Sequence, residues 1–321
     1  MISAKNIWSE IKNRLDLNVL NLVSSTMPIS GADGDGAGFA GPGSTCTDNS
    51  TGIKYVNENT AALPVWTPDS FDQPNLMGYR ETWQGDASLV AIGNTTGDVQ
   101  APSGLRFFGQ GATETDSGLV TGTSVEGSQV ANLVTTNETA HVAAIGYRDS
   151  VAGWQPDTHG GMVIDAQVAV NTALTTRSIF MGFIGTAAAA LDPPVTGSST
   201  TITLVQDDLC GVLMDSGLTD ADGLFAAHNK SNAAATQATT DTGIDLSTTL
   251  VAGTYQRFRV EISADGDARF LVDGALVGSK IAIALDIDEE VTPVLLVRSL
   301  ASATKSIDIK QVSMWTSRGL L

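Results

Sequence analysis

Apolar residues early in the chain recur at helical spacing. Ile7, Trp8, Ile11, Leu15, Val19, Leu22 and Val23 share one side, while Lys5, Glu10, Lys12, Asn13 and Asp16 fall largely on the other. The pattern predicts an amphipathic helix over residues 5–23, stopped by Ser24, Ser25, Thr26 and Pro28. An isolated helix of this length is marginal in water, so its stripe needs a partner: its own body, another copy or a larger assembly. Further along, the period changes to two. Phe258, Val260 and Ile262 alternate with Arg257, Arg259 and Glu261, which predicts a strand with one buried and one wet face. Asp265-Gly266 supplies a hairpin turn, Ala268, Phe270 and Val272 alternate back, and Asp273-Gly274 turns the chain again. The segment VTPVLLVRSL reads as a buried strand, and SIDIKQVSMWTS places Ile307, Ile309 and Trp315 on one face of a closing strand. GMVIDAQVAV and SIFMGFIG carry the same signature, so the body is mostly β.

Between helix and body lies a run of glycines. Gly36, Gly38 and Gly41 satisfy G-x-G-x-x-G, but Pro42 and Gly43 follow and no helix pattern opens to receive a pyrophosphate. Asp33, Asp35 and Gly36 imitate the start of a calcium loop, yet Ser44 stands where its bidentate carboxylate belongs. The run therefore reads as a flexible or close-packed linker. After it, Asp48 to Gly52 form a turn, Ile53, Tyr55 and Val56 begin a short strand, and Val65 and Trp66 follow a second turn. Such a ribbon is too small to stand alone. Three regions result: an anchor helix over 1–28, a glycine-rich connector and β-ribbon over 29–71, and a β-sandwich over 72–321.

Charge narrows the partners. Of 321 residues, 35 are acidic and 17 basic, a net charge of -18, which repels nucleic acid and anionic membranes. The balance suits a basic partner or a protein packed in many copies. Cys46 and Cys210 form no metal spacing and are expected to be buried reduced thiols, and His141, His159 and His228 lack zinc-site spacing. The N-terminus lacks the pattern of a secretion signal, and no stretch reaches the roughly 20 apolar residues of a membrane span. A soluble protein made in the cytosol is expected.

Two resemblances extend this reading. The glycine run, the GPGS of residues 41–44, then Asp48, Gly52, Tyr55 and Asn57, then Pro64 and Trp66, resemble a module of tailed-bacteriophage virion proteins, especially head-decoration and fibre-like proteins. The chain departs from that pattern in lacking a glycine after the Tyr-x-Asn turn. In those proteins the module is a connector ahead of a β-sandwich. The order of strand, Asp-Gly hairpin, second strand and terminal aromatic strand resembles the concanavalin A-like, or laminin-G-like, jelly roll. That fold carries lectins, hydrolases and inert structural domains alike. The resemblances imply a structural virion protein displayed on the capsid as a decoration or head-fibre (cement) protein, assembled in the host cytoplasm. It would be a homotrimer bound to the major capsid protein or another head or tail component. Attachment would fall to Ile7, Trp8, Ile11, Leu15, Val19 and Leu22, and the connector to Gly36, Gly38, Gly41, Tyr55 and Trp66. The alternative is a tail-associated adhesin whose jelly roll binds a host glycan.

Catalytic patterns are missing from the sequence. Neither E-x-D-x-x-E nor G-x-S-x-G occurs, and the acidic run Asp286, Asp288, Glu289 and Glu290 leads toward Pro293 as an exposed turn. No enzyme and no cofactor are expected, and a polysaccharide depolymerase ranks third. Asp207, Asp208, Asp215, Asp220 and Asp222 are calcium candidates, set against the acidic loops expected by chance in so acidic a chain. Trp83, Trp154 and Tyr147, which could stack on a sugar, are not visibly grouped.

Overall fold

A computed structural model describes residues 19–83, 90–92, 99–100, 105–110, 117–123, 129–135, 137, 139–146, 153–170, 173–185, 193–231 and 235–318. The chain divides into two compact units, with the boundary between Leu76 and Met77. Among the described residues no helix is long and apolar enough to cross a membrane.

The first unit is a four-stranded sheet of β1 (Asn21–Ser24), β2 (Thr45–Asp48), β3 (Lys54–Asn57) and β4 (Trp66–Pro68), in that order. β1 runs parallel to β2 and places Leu22 opposite Cys46, while the other pairs are antiparallel. This corrects the C-terminal part of the expected helix, since Asn21–Ser24 is extended. The sequence Val-Leu-Asn-Leu-Val also fits a period of two, with Leu20 and Leu22 half-buried and Val19, Asn21 and Val23 exposed. β-Branched Val19 and Val23 suit extended backbone, and the β2 edge gives the segment main-chain partners: Thr45 N–H donates to Leu20 C=O at 2.7 Å and Asn49 N–H to Ser24 C=O at 2.8 Å. The anchor residues Ile7, Trp8, Ile11 and Leu15 lie outside the described residues.

The second unit is a β-sandwich. Its strands begin with β5 (Leu76–Glu81), whose first residue belongs to the first unit, then β6 (Val90–Ile92), β7 (Val99–Gln100), β8 (Arg106–Gln110), β9 (Ser117–Thr123), β10 (Gln129–Val134) and β11 (Val142–Gly146). One helical turn, α1 (Pro156–His159), precedes β12 (Met162–Ala169), β13 (Arg177–Gly185), β14 (Val195–Ser198), β15 (Thr201–Leu204), β16 (Leu209–Asp215) and β17 (Gly223–Asn229). Then come β18 (Thr236–Ala238), β19 (Asp245–Thr249), β20 (Gln256–Ile262), β21 (Ala268–Val272), β22 (Ala275–Leu276), β23 (Val291–Ser299) and β24 (Ser306–Ser317). A nine-stranded sheet has the order β22-β21-β20-β12-β24-β10-β9-β6, with β5 also on β24. An eight-stranded sheet has the order β19-β17-β16-β13-β23-β11-β8-β7. Their facing side chains form the main core, including Ile164, Val260, Phe270 and Met314 from the first and Phe183, Met214 and Leu295 from the second. A three-stranded sheet, β14-β15-β18, covers part of the other face of the eight-stranded sheet, where Ile202 and Leu204 join Phe180, Leu213 and Leu296 in a second apolar cluster.

The hairpin expected around Asp265-Gly266 is present as β20 and β21, with Val260 opposite Phe270. The wet face expected on β20 is not. Arg259 and Glu261 are buried with only 2% and 4% of their side chains exposed, and Asp165 on β12 with 1%. Arg257 Nε donates to Asp165 Oδ1 at 2.8 Å, Arg259 Nη1 to Asp165 Oδ2 at 3.3 Å, and Arg259 Nε to Glu261 Oε1 at 2.7 Å. Arg269 Nε stands 3.8 Å from the other Glu261 oxygen, and the Arg259 guanidinium lies 4.9 Å from the centre of the Trp315 ring. Each carboxylate serves two guanidiniums, and an indole face receives the weakly hydrated Arg259, so the row tolerates exclusion from water. Alternation identifies which residues leave the core, but it does not say that they meet solvent.

The two sheets enclose a complete core within one unit, so a chain beginning at Met77 is expected to fold alone. Its far-ultraviolet circular dichroism should be dominated by strand. A helical or unfolded spectrum would show that the sandwich depends on the first unit.

Candidate functional site

In the first unit, Trp66 is fully buried, and the glycine-rich segment folds around it. The Trp66 indole N–H donates to Asp35 C=O at 3.0 Å, and Trp66 N–H donates to Ser30 Oγ at 3.2 Å. Asn57 ties the loop from the other side: its Nδ2 donates to Ala40 C=O at 2.6 Å, and its Oδ1 accepts from Val65 N–H at 2.8 Å and Asn59 N–H at 2.9 Å. Asp35 Oδ2 accepts from Ile29 N–H at 2.8 Å. Glycine is required where the loop closes on itself: a Cβ on Gly34 would stand 2.2 Å from Ile29 O, and Gly36 has a φ of 74° beside Ala40 and Leu22. The run is therefore a close-packed loop with its own hydrogen bonds. Gly36, Gly38, Tyr55 and Trp66 belong to one fold with it, and Gly41 accepts from Ser44 N–H at 3.1 Å. The turn at Asp48 to Gly52 is built by Asp48, whose carboxylate accepts from Ser50 N–H at 2.8 Å and the Thr51 hydroxyl at 2.7 Å. The loop leaves Ile29 and Phe39 exposed, at 40% and 49%, two residues that the periodicity did not single out because neither belongs to a repeating pattern.

The calcium candidates do not converge. Asp215 is fully buried beside β14, accepts from Gly197 N–H at 3.0 Å and Gly217 N–H at 2.8 Å, and so fastens β14 to the end of β16. Burial pushes its carboxyl up from the ordinary range, against these hydrogen bonds and the nearby Arg298. Asp208 accepts from Ser231 N–H at 3.0 Å near Asp286, and burial raises it as well, while Asp207 is exposed. Asp220 and Asp222 are exposed neighbours. Asp220 is pushed up by desolvation, by its hydrogen bond and repulsion with Asp222, and by Asp245. Among the described residues no three His, Cys, Asp or Glu side chains could hold a metal ion together. Asp286, Asp288, Glu289 and Glu290 occupy the loop before β23, where Asp286 accepts from the Ser231 hydroxyl and stands 4.0 Å from Lys230 Nζ.

One end of the sandwich carries a cleft of about 610 Å³ lined by Leu174, Thr175, Thr176, Ser216, Asp222 and Leu300, among others. Three connections build it: β12 to β13, β16 to β17, and β23 to β24. Thr176 holds a φ of 55°, and Leu300 N–H donates to its carbonyl at 2.9 Å. Ser216 Oγ accepts from Arg177 N–H at 3.0 Å. The exposed lining is mostly apolar, with Thr175, Thr176, Ser216 and Asp222 as its polar residues. Of these residues only Asp222 was singled out by the sequence, because serine and threonine are too common in these loops to signal a site.

The remaining candidates are placed elsewhere. Trp83 and Trp154 are buried in the core, so neither offers a face to a sugar, and Tyr147 lies outside the described residues. His141 is buried, His159 Nδ1 accepts from Gln155 N–H at 2.9 Å, and the His228 main chain is paired with the Gln237 amide. Cys46 and Cys210 are free and buried. Burial, with Asp35 and Asp48 nearby, pushes the Cys46 thiol up to about 11, and burial raises Cys210 further, so neither is a ready nucleophile.

No family model and no curated protein matches the chain. Among solved structures it is similar to peanut lectin, at 11% identity and a TM-score of 0.42, over 75% of this chain and 97% of the lectin. It is similar to a carbohydrate esterase from the Shiga toxin-encoding bacteriophage phi24B, at 10% identity and a TM-score of 0.40, over 71% of this chain and 99% of the esterase. Arcelin-5, a lectin-like defence protein from Phaseolus vulgaris, is similar at 8% identity and a TM-score of 0.40, over 77% of this chain and all of the other.

Proposed function

We propose that this chain is a non-enzymatic structural protein of a tailed-phage virion, of the capsid-decoration or head-fibre type, with a concanavalin A-like jelly roll as its displayed body. The first unit attaches it to another virion protein. The observation that carries this reading is that unit: a small module centred on Trp66 whose glycine-rich loop presents Ile29 and Phe39 to solvent. A rigid loop with exposed apolar side chains loses little conformational freedom on docking. Replacing Ile29 and Phe39 together by Asp in the full chain should leave the β spectrum unchanged and abolish incorporation into particles, because docking would bury two unpartnered carboxylates. Incorporation at the wild-type level would overturn the reading.

A second reading, glycan binding by the body, is favoured by the cleft at Thr175, Thr176, Ser216 and Asp222. It would be supported by saturable binding on a glycan array, without release of reducing ends and weakened by Asp222→Ala.

A further inference from the structure

We propose that two copies of this chain join through the edge of β1 that no described strand covers, pairing antiparallel across a two-fold axis to make one continuous sheet from two first units. The inference rests on the reading of that unit as the assembly module, and puts a two-fold pair of copies in place of the homotrimer that the resemblance implies.

The two edges of the four-stranded sheet differ. At β4, Trp66 N–H already donates to Ser30 Oγ, Gly31 N–H donates to Pro64 C=O at 2.8 Å, and Pro68 has no N–H to give. That edge is closed. Among the described residues β1 pairs with β2 alone. The carbonyls of Leu20 and Ser24 point to β2, so by alternation the main-chain groups of Asn21 and Val23 point away from it. Val19 and Val23 are 51% and 68% exposed, an apolar fringe on a strand whose outer edge no other described strand pairs with. Open edges of this kind pair with further strands unless charge or proline blocks them.

Charge selects the occupant. The protein carries a net charge of -18, so most approaches between two copies are repulsive. Residues 17–32 contain no Asp, Glu, Lys, Arg or His, and β1 lies inside that stretch. This is where two copies of so acidic a protein meet without like charges opposed. The strand geometry supplies a register as well. With the axis at Leu22, the two Leu22 residues form the close, non-hydrogen-bonded pair, and Asn21 of each copy exchanges both main-chain hydrogen bonds with Val23 of the other.

The test is the mass of the full chain by light scattering at micromolar concentration. The wild type is expected at twice 33.2 kDa, in a concentration-dependent equilibrium with monomer. Val23→Pro removes an outward N–H without touching the β2 ladder, and Val23→Lys brings a charge to each side of the axis. Both should shift the protein to monomer with the β spectrum retained, whereas Val23→Thr should remain a dimer. If Val23→Pro fails to fold, Val23→Lys decides. A wild type that is monomeric or trimeric, or folded Lys and Pro variants that are still dimeric, overturns the proposal. Monomeric variants that still decorate particles would leave the attachment reading intact, and dimers that do not decorate would leave the pairing intact, so the two readings fail separately.

Discussion

Asp165→Ala is expected to destabilise the sandwich by about 3–5 kcal/mol, because it leaves buried guanidinium charge behind rather than simply deleting a contact. Asp165 holds Arg257 through one oxygen and Arg259 through the other, on a β12 strand in the middle of the nine-stranded sheet. Arg259 keeps Glu261 after the substitution, but Glu261 also faces Arg269, so two guanidiniums would share one carboxylate while Arg257 loses its Asp165 oxygen. Urea unfolding followed by circular dichroism measures the loss, with the transition of the second unit read separately if the two units melt apart. The companion variant Asp165→Leu with Arg257→Leu, Arg259→Met, Glu261→Leu and Arg269→Leu removes the charges together and should recover much of the stability, because a buried ion pair is costly to break and dispensable as a set. A loss below about 1 kcal/mol for Asp165→Ala would mean that the row is hydrated in solution, as exposed ion pairs are.

Phe270→Ala should cost a similar amount, about 3–5 kcal/mol, through a different mechanism. Phe270 is fully buried in the main core on β21, opposite Val260, and its removal opens a cavity that the two sheets can only partly close. The same unfolding measurement checks it, and Phe270→Leu should lose distinctly less. If Phe270→Ala lost under about 1 kcal/mol, the inner face assigned to β21 would be wrong.

The body was legible because its signals are local and redundant. Alternation in Phe258 to Ile262 and in Ala268 to Val272, with Asp265-Gly266 between them, specifies a hairpin whatever surrounds it. What alternation could not show is the fate of the other face, since pairing of Arg259 with Asp165 depends on the neighbour of a strand 94 residues away. Val19 to Val23 misled for a related reason: seven residues at helical spacing outweighed a short alternating segment whose partner, β2, follows only after the glycine loop. The loop itself was only half legible. Glycines announced unusual backbone, but its use as a wrapping around Trp66 emerges only from Asn57, Ser30 and Asp35 acting together. The five aspartates grouped by sequence separate because β16 lies between them, carrying Asp208 and Asp215 to opposite ends of one strand.

The position of β24 has a consequence for the life of the molecule. Although it is the last strand among the described residues, β24 is not an edge: it lies between β12 and β10 and pairs with both. Its neighbour in sequence, β23, is likewise flanked by β13 and β11. A ribosome therefore makes the middle of each sheet after its flanks, and strands made earlier wait with unpaired edges until β23 and β24 have emerged. A chain cut short before Ser306 is not a smaller sandwich but leaves β12 and β10 with no seam between them, the form that a cell's proteases remove.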